Sequence, residues 1–172
     1  MTTTATDLET RPLTPEARRF QTVFTTPTLF RAMLLAKLPL FMLTGAKVEH
    51  LDLERCRVEL PFGWINRNPF GSMYFASIMM SAEATTGGLV LLHRENRARE
   101  YSAIVSNISG DFERAAYSKM TFECDRGHEV DRYFERADRT GERESHVFTV
   151  EGRTEEDGVV ARVEVTWSLR AK

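Results

Sequence analysis

The spacing of apolar residues changes along this chain, and each change marks an element. Phe20, Val23 and Phe24 recur at three and four residues, with Thr14 as a helix cap and Pro15 at the first helical position. Thr26-Pro27 repeats that signal. A second helix is predicted over Thr28–Leu38, with Leu29, Phe30, Met33, Leu34 and Leu38 at helical spacing and Pro39 limiting it. The period then shortens to two. Lys47–Phe62 reads as one long strand, with Cys56, Val58, Leu60 and Phe62 inward and Arg55, Arg57 and Glu59 outward. Its first half alternates less well, which predicts a bulge near Leu51–Leu53. Strands follow over Ser102–Phe112, Lys119–Cys124, Glu144–Thr154 and Val159–Arg170, the last two joined by an Asp157-Gly158 hairpin turn. A short amphipathic helix over Glu129–Arg139 presents Val130, Tyr133, Phe134 and Ala137 on one face.

One stretch fits neither amphipathic pattern. From Phe70 to Leu92 the only charged side chain is Glu83. Ser72 is a candidate cap, Gly87-Gly88 weaken helix near the end, and Met73–Leu92 would form a helix about 30 Å long. A helix apolar nearly all round must be buried on all sides. Lipid is a poor partner, because a central carboxylate costs roughly 2.5–3.5 kcal/mol to insert and the run carries several hydroxyls. An antiparallel sheet curved around the helix serves instead. The predicted class is α+β, a curved antiparallel sheet wrapped around a long buried central helix.

Composition narrows the function classes. The chain has 172 residues, 42% apolar and 28% charged, with a net charge of −2. That length suits one domain, and the charge gives no electrostatic case for nucleic acid. Cys56 and Cys124 sit in strand-like runs without metal-ligand spacing, and the expectation is buried free thiols in a reducing compartment. His50, His93, His128 and His146 are scattered, so no metal site is expected. The opening MTTTATDLETR has no apolar core, which points to a cytoplasmic protein without a signal peptide. Residues 1–12 are expected to be flexible, and 13–172 to form one domain that includes the N-terminal helices.

The run Asn68-Pro69-Phe70-Gly71-Ser72-Met73-Tyr74-Phe75-Ala76, followed by Ala82-Glu83 and Gly87-Gly88, resembles the hotdog fold of the thioesterase-like superfamily, close to an uncharacterised domain family within it. The segment Gly110-Asp111-Phe112-Glu113-Arg114-Ala115-Ala116 is similar to the acidic-Phe-x-Arg-Pro strand end of that superfamily, with Ala where Pro is usual. The resemblance implies a hotdog domain over most of the chain. It implies an acyl-CoA thioesterase acting at a dimer interface, with coenzyme A as part of the substrate and no other cofactor. The protein would assemble as a homodimer or tetramer, with no membrane span.

Thioester hydrolysis needs donors for the oxyanion and a base or nucleophile. Helix-start N–H groups at Ser72 to Phe75, including that of Met73, would supply the donors, and Gly71 would allow close approach. Glu83 would activate water or attack directly. Asn66 or Asn68 would orient water or the carbonyl, and Asn107 or its neighbour Ser106, both mid-strand, would point into the ligand tunnel. Tyr74 stands where many thioesterases of this fold carry His. Glu83 lies about 16 Å along the helix from Ser72, so the resemblance implies that the Glu83 of one protomer faces the helix start of the other. Two further readings stay open. Glu83 could be a structural carboxylate, and the domain could hold a fatty-acyl ligand without turnover. The two N-terminal helices could pack only as structure or close as a lid over that ligand.

Overall fold

The computed structural model describes Leu8 and residues 11–172. Helices α1 (Pro15–Thr25), α2 (Pro27–Lys37) and α3 (Pro39–Leu43) lead into strands β1 (Lys47–Leu51) and β2 (Cys56–Leu60). The long helix α4 (Phe75–Glu95) follows. Then come β3 (Tyr101–Phe112), β4 (Met120–Cys124), α5 (Gly127–Thr140), β5 (Glu144–Thr154) and β6 (Gly158–Ala171). The six strands form one antiparallel sheet in the order β1-β2-β4-β5-β6-β3, which does not close. Helix α4 touches all six strands and also packs on α1 and α5. This is the buried helix and curved sheet that the sequence predicts. By length and composition α4 could cross a bilayer, but most of it is buried against protein, including Ile78, Ala82, Leu89, Val90 and Leu92.

The predicted strand over Lys47–Phe62 is in fact two strands. Asp52 breaks it: its carboxylate accepts the N–H groups of Glu54 and Arg55 at 2.8 Å each and meets His50 Nε2 at 2.6 Å. That Asx turn reverses the chain, and the register shift falls between Val48 and His50 rather than at Leu51–Leu53. Pro39 ends α2 as expected, but it also starts α3, because a proline suits a first helical position. Thr14 caps α1 by accepting the Ala17 N–H at 3.1 Å. The cap of α4 is Tyr74, without a side-chain bond, rather than Ser72, whose hydroxyl accepts from Asn68 Nδ2 at 2.9 Å.

Gly87 and Gly88 do not end α4, which runs on to Glu95. Their reason is close packing. A Cβ on Gly88 would lie 2.9 Å from Cys56 Sγ, and one on Gly87 would lie 3.3 Å from both Glu83 Oε1 and Trp167 Cζ2. Cys56 and Cys124 face each other across β2 and β4 as buried free thiols, and burial pushes both thiols up, Cys124 to about 12.

Leu8 and Arg11 are tied to the domain. Residues 1–7, 9 and 10 of the segment expected to be flexible lie outside the described residues, whereas Leu8 is buried. Arg11 donates to Asp131 on α5 from both terminal guanidinium nitrogens at 2.7 and 2.9 Å, and Arg97 reaches the same carboxylate at 2.6 Å. His93 is fully buried beside them and donates from Nε2 to the Leu53 carbonyl at 2.7 Å. Burial opposes the charge on Asp131. The hydrogen bonds from Arg11 and Arg97 and the positive charges of both still hold it well below the ordinary carboxylate range.

Candidate functional site

The turn into α4 is fixed by its own polar groups. Asn68 Oδ1 accepts the N–H groups of Phe70 at 2.9 Å and Ser72 at 3.2 Å, and Gly71 adopts φ +89°, a conformation glycine favours. Asn66 is buried. Its amide donates to the Thr44 and Pro61 carbonyls at 2.7 and 2.8 Å and accepts from Ser77 Oγ at 3.1 Å. The side chains of Asn66 and Asn68 thus hold this turn together within the chain.

The same bonding decides which helix-start donors are open. The Ser72 N–H goes to Asn68, the Met73 N–H to the Ala116 carbonyl at 2.8 Å, and the Tyr74 N–H to the Asn66 carbonyl at 2.7 Å. The first N–H groups of α4 without a partner among the described residues are those of Phe75 and Ala76. The Arg114-to-Ala116 segment therefore anchors the helix entry, a role its likeness to the superfamily pattern did not reveal. Tyr74 is exposed and packs edge-on against Phe75, whose ring meets Phe112 at 6.2 Å.

Glu83 lies further along α4, in a different setting. It lines an open cavity of about 340 Å³ with Phe30 and Met33 of α2, Leu38 and Leu40 near α3, and Met80, Gly87 and Gly88 of its own helix. The wall is almost wholly apolar. The Glu83 carboxyl has no hydrogen-bond or ion-pair partner among the described residues, and burial raises its pKa above the ordinary glutamate value. A carboxyl desolvated in this way is a stronger base once ionised and holds its proton to higher pH. The Trp167 indole borders the Gly87 gap beside it and donates from Nε1 to Thr86 Oγ1 at 2.9 Å. Asn107 is exposed on β3 beside the bulge between Val105 and Asn107, outside the lining of this cavity.

Two groupings result. Asn66, Asn68, Gly71, Ser72, Met73 and Tyr74 cluster at the helix start, and Glu83 sits in the cavity under α2 and α3. Glu83 lies eight positions after Phe75, about 12 Å of helix, so a single chain does not bring its open donors to its own carboxyl. Sequence reading missed Trp167 as a neighbour of Glu83, because it was read only as an inward residue of β6. It also missed Leu38 and Leu40 as cavity wall, because α3 was not foreseen.

A family model described as "Domain of unknown function (DUF4442)" matches residues 26–169. The chain belongs to that family. No curated protein matches it. Among solved structures, the chain is similar to a Pseudomonas aeruginosa protein of unknown function called a probable thioesterase. That match has 20% identity and a TM-score of 0.75, over 93% of this chain and 99% of that one. It is also similar to a protein of unknown function from Chlorobaculum tepidum, with 14% identity and TM-score 0.70 over 87% and 99%. A thioesterase from Haemophilus influenzae matches with 14% identity and TM-score 0.61 over 85% and 91%. The DUF4442 chain described here has the hotdog fold of these thioesterase-like proteins.

Proposed function

We propose that this protein hydrolyses an acyl thioester, with an acyl-CoA as substrate, at a site shared between two protomers. The observation that carries the reading is Glu83, an unpartnered carboxyl on the wall of an apolar cavity. The acyl tail occupies that cavity, which places its thioester end beside Glu83. Glu83 takes a proton from water as the hydroxyl adds to the carbonyl carbon. The Phe75 and Ala76 N–H groups of the partner hold the oxyanion. When the tetrahedral intermediate collapses, the C–S bond breaks and Glu83 returns its proton to the thiolate. The products are a carboxylic acid and a free thiol.

A second copy is supported by β3. It is a twelve-residue edge strand paired only with β6; Phe112 at its end is exposed against the Phe75 ring, and Ile104 is exposed further along it. Such an edge is a template for another chain. Pairing two β3 edges would bring each helix start toward the other protomer, and Val105 of β3 is the register partner of Trp167, the neighbour of Glu83. Asn66 and Asn68 then act by holding the turn that aims the donors, and Gly71, Ser72 and Met73 form its backbone. Tyr74 and Asn107, both exposed, border the shared cleft.

A second reading, fatty-acyl binding without turnover, is favoured by the same apolar wall, since the only side-chain donor among the residues lining the cavity is Lys37, which makes no hydrogen bond or ion pair to Glu83. Thiol release from short to long acyl-CoA esters, by wild type and Glu83→Gln, separates the two. Turnover by wild type that the folded variant lacks supports hydrolysis. No turnover on any ester, with acyl ligand detected by native mass spectrometry, gives the binding reading. Light scattering of Ile104→Lys checks the shared site, with loss of the dimer mass expected.

A further inference from the structure

Helix α2 is apolar on two faces. Phe30 and Leu34 are buried against the domain, while Leu29, Leu35 and Leu38 point outward, Leu35 with 63% exposure. Leu40 and Leu43 of α3 extend the outward set, Leu40 with 68% exposure. Five leucines within fifteen residues thus face water without a partner, far more than scattered surface apolar residues require explaining.

The charges among them all have one sign. Arg31 and Lys37 are exposed, and neither has a hydrogen-bond or ion-pair partner among the described residues. No acidic residue occurs between Thr26 and Val48. Lys37, Leu38 and Leu40 are also part of the wall of the Glu83 cavity, so the cavity opens within this patch.

We propose that the outer face of α2 and α3 docks on an anionic lipid surface and presents the mouth of the Glu83 cavity to it. The leucines would enter the acyl boundary, while Arg31 and Lys37 keep their heads among the lipid phosphates. A second copy fits this patch poorly. In a two-fold contact the same surface meets itself, and Arg31 and Lys37 would face like charges with no acid to offset them. The surface suited to a second copy is β3, at the opposite end of the strand order from β1, beside which α2 and α3 lie. An acyl chain would then pass from lipid to Glu83 without crossing water.

The test is flotation of the full-length protein with vesicles of phosphatidylcholine containing one-third phosphatidylglycerol, and with phosphatidylcholine alone. Wild type should float with the anionic vesicles, more weakly as salt rises. Leu35→Glu with Leu43→Glu, neither lining the cavity, should reduce the bound fraction at least tenfold. Arg31→Glu should weaken binding to anionic vesicles while leaving the weak binding to neutral ones unchanged. The proposal is overturned if wild type does not float, if the leucine variant floats as wild type does, or if that variant halves the mass seen by light scattering, which would make the patch a protomer interface. Hydrolysis of a short, water-soluble acyl-CoA should be equal in wild type and the leucine variant. Vesicle binding reads the surface alone, so its failure is distinct from a failure of the thioesterase reading.

Discussion

Gly88→Ala sets two opposing effects of known size against each other. In an exposed helix the change would stabilise by about 1 kcal/mol, because glycine is the weaker helix former. Here the new Cβ would lie 2.9 Å from Cys56 Sγ and 3.7 Å from Leu51 Cδ1. Both neighbours are buried on the β1–β2 hairpin, and neither is the free end of a long side chain. Overpacking a filled core costs about 1–3 kcal/mol. The variant should therefore be neutral or destabilised by up to about 2 kcal/mol, a loss of up to roughly 8 °C in Tm for a chain of this length. In a Cys56→Ala background the obstructing sulfur is gone, and the same substitution should recover the gain of about 1 kcal/mol. The difference between the two backgrounds, measured by urea denaturation, should equal the overpacking term of ~1–3 kcal/mol. An equal effect of Gly88→Ala in both backgrounds would refute the close approach of α4 to β2, and with it the placement of Glu83 beneath α2.

Two further outcomes follow from buried charge. Glu83 has a folded pKa above its unfolded value, so its contribution to stability is full below the unfolded pKa and is lost as pH rises through the folded one. Glu83→Gln should match wild type near pH 4 and exceed it near pH 8 in chemical denaturation; a variant no more stable at pH 8 would contradict the desolvated carboxyl. Asp131 has the opposite sign. Its folded pKa is depressed, so its contribution is present above the unfolded value and falls away as pH drops below it. Asp131→Asn should lose roughly 3–5 kcal/mol at pH 7, because Arg97 and Arg11 lose their buried partner, and should flatten the acid limb of a stability–pH curve.

Much of the architecture was legible in the sequence because its periods are clean. The alternation through Val159, Ala161, Val163, Val165, Trp167 and Leu169 identifies β6, and the lone charge in Phe70–Leu92 identifies the central helix. What was not legible depends on particular polar contacts. Asp52 turns one apparent strand into a hairpin through two backbone N–H groups, a choice the apolar pattern does not encode. Of the expected donors at Ser72–Phe75 only that of Phe75 stays open, joined by Ala76, because the Asn68 side chain and the Ala116 and Asn66 carbonyls, remote in sequence or hidden in a loop, accept the earlier N–H groups. Glu83 was visible as a lone carboxylate. Its roof was not: helical spacing groups Leu29, Phe30, Met33, Leu34 and Leu38, but it tells neither that Leu29 and Leu38 stay exposed nor that Phe30, Met33 and Leu34 line the cavity of Glu83.

The central claim is that Glu83 is the reacting carboxyl, and the pH dependence of kcat/KM for acyl-CoA hydrolysis tests it most directly. The account predicts a rate that rises with pH through a pKa above that of an ordinary glutamate, and Glu83→Gln should remove both the rate and that limb while the protein stays folded. A Glu83→Gln enzyme that keeps wild-type kcat/KM and the same pH profile would contradict it.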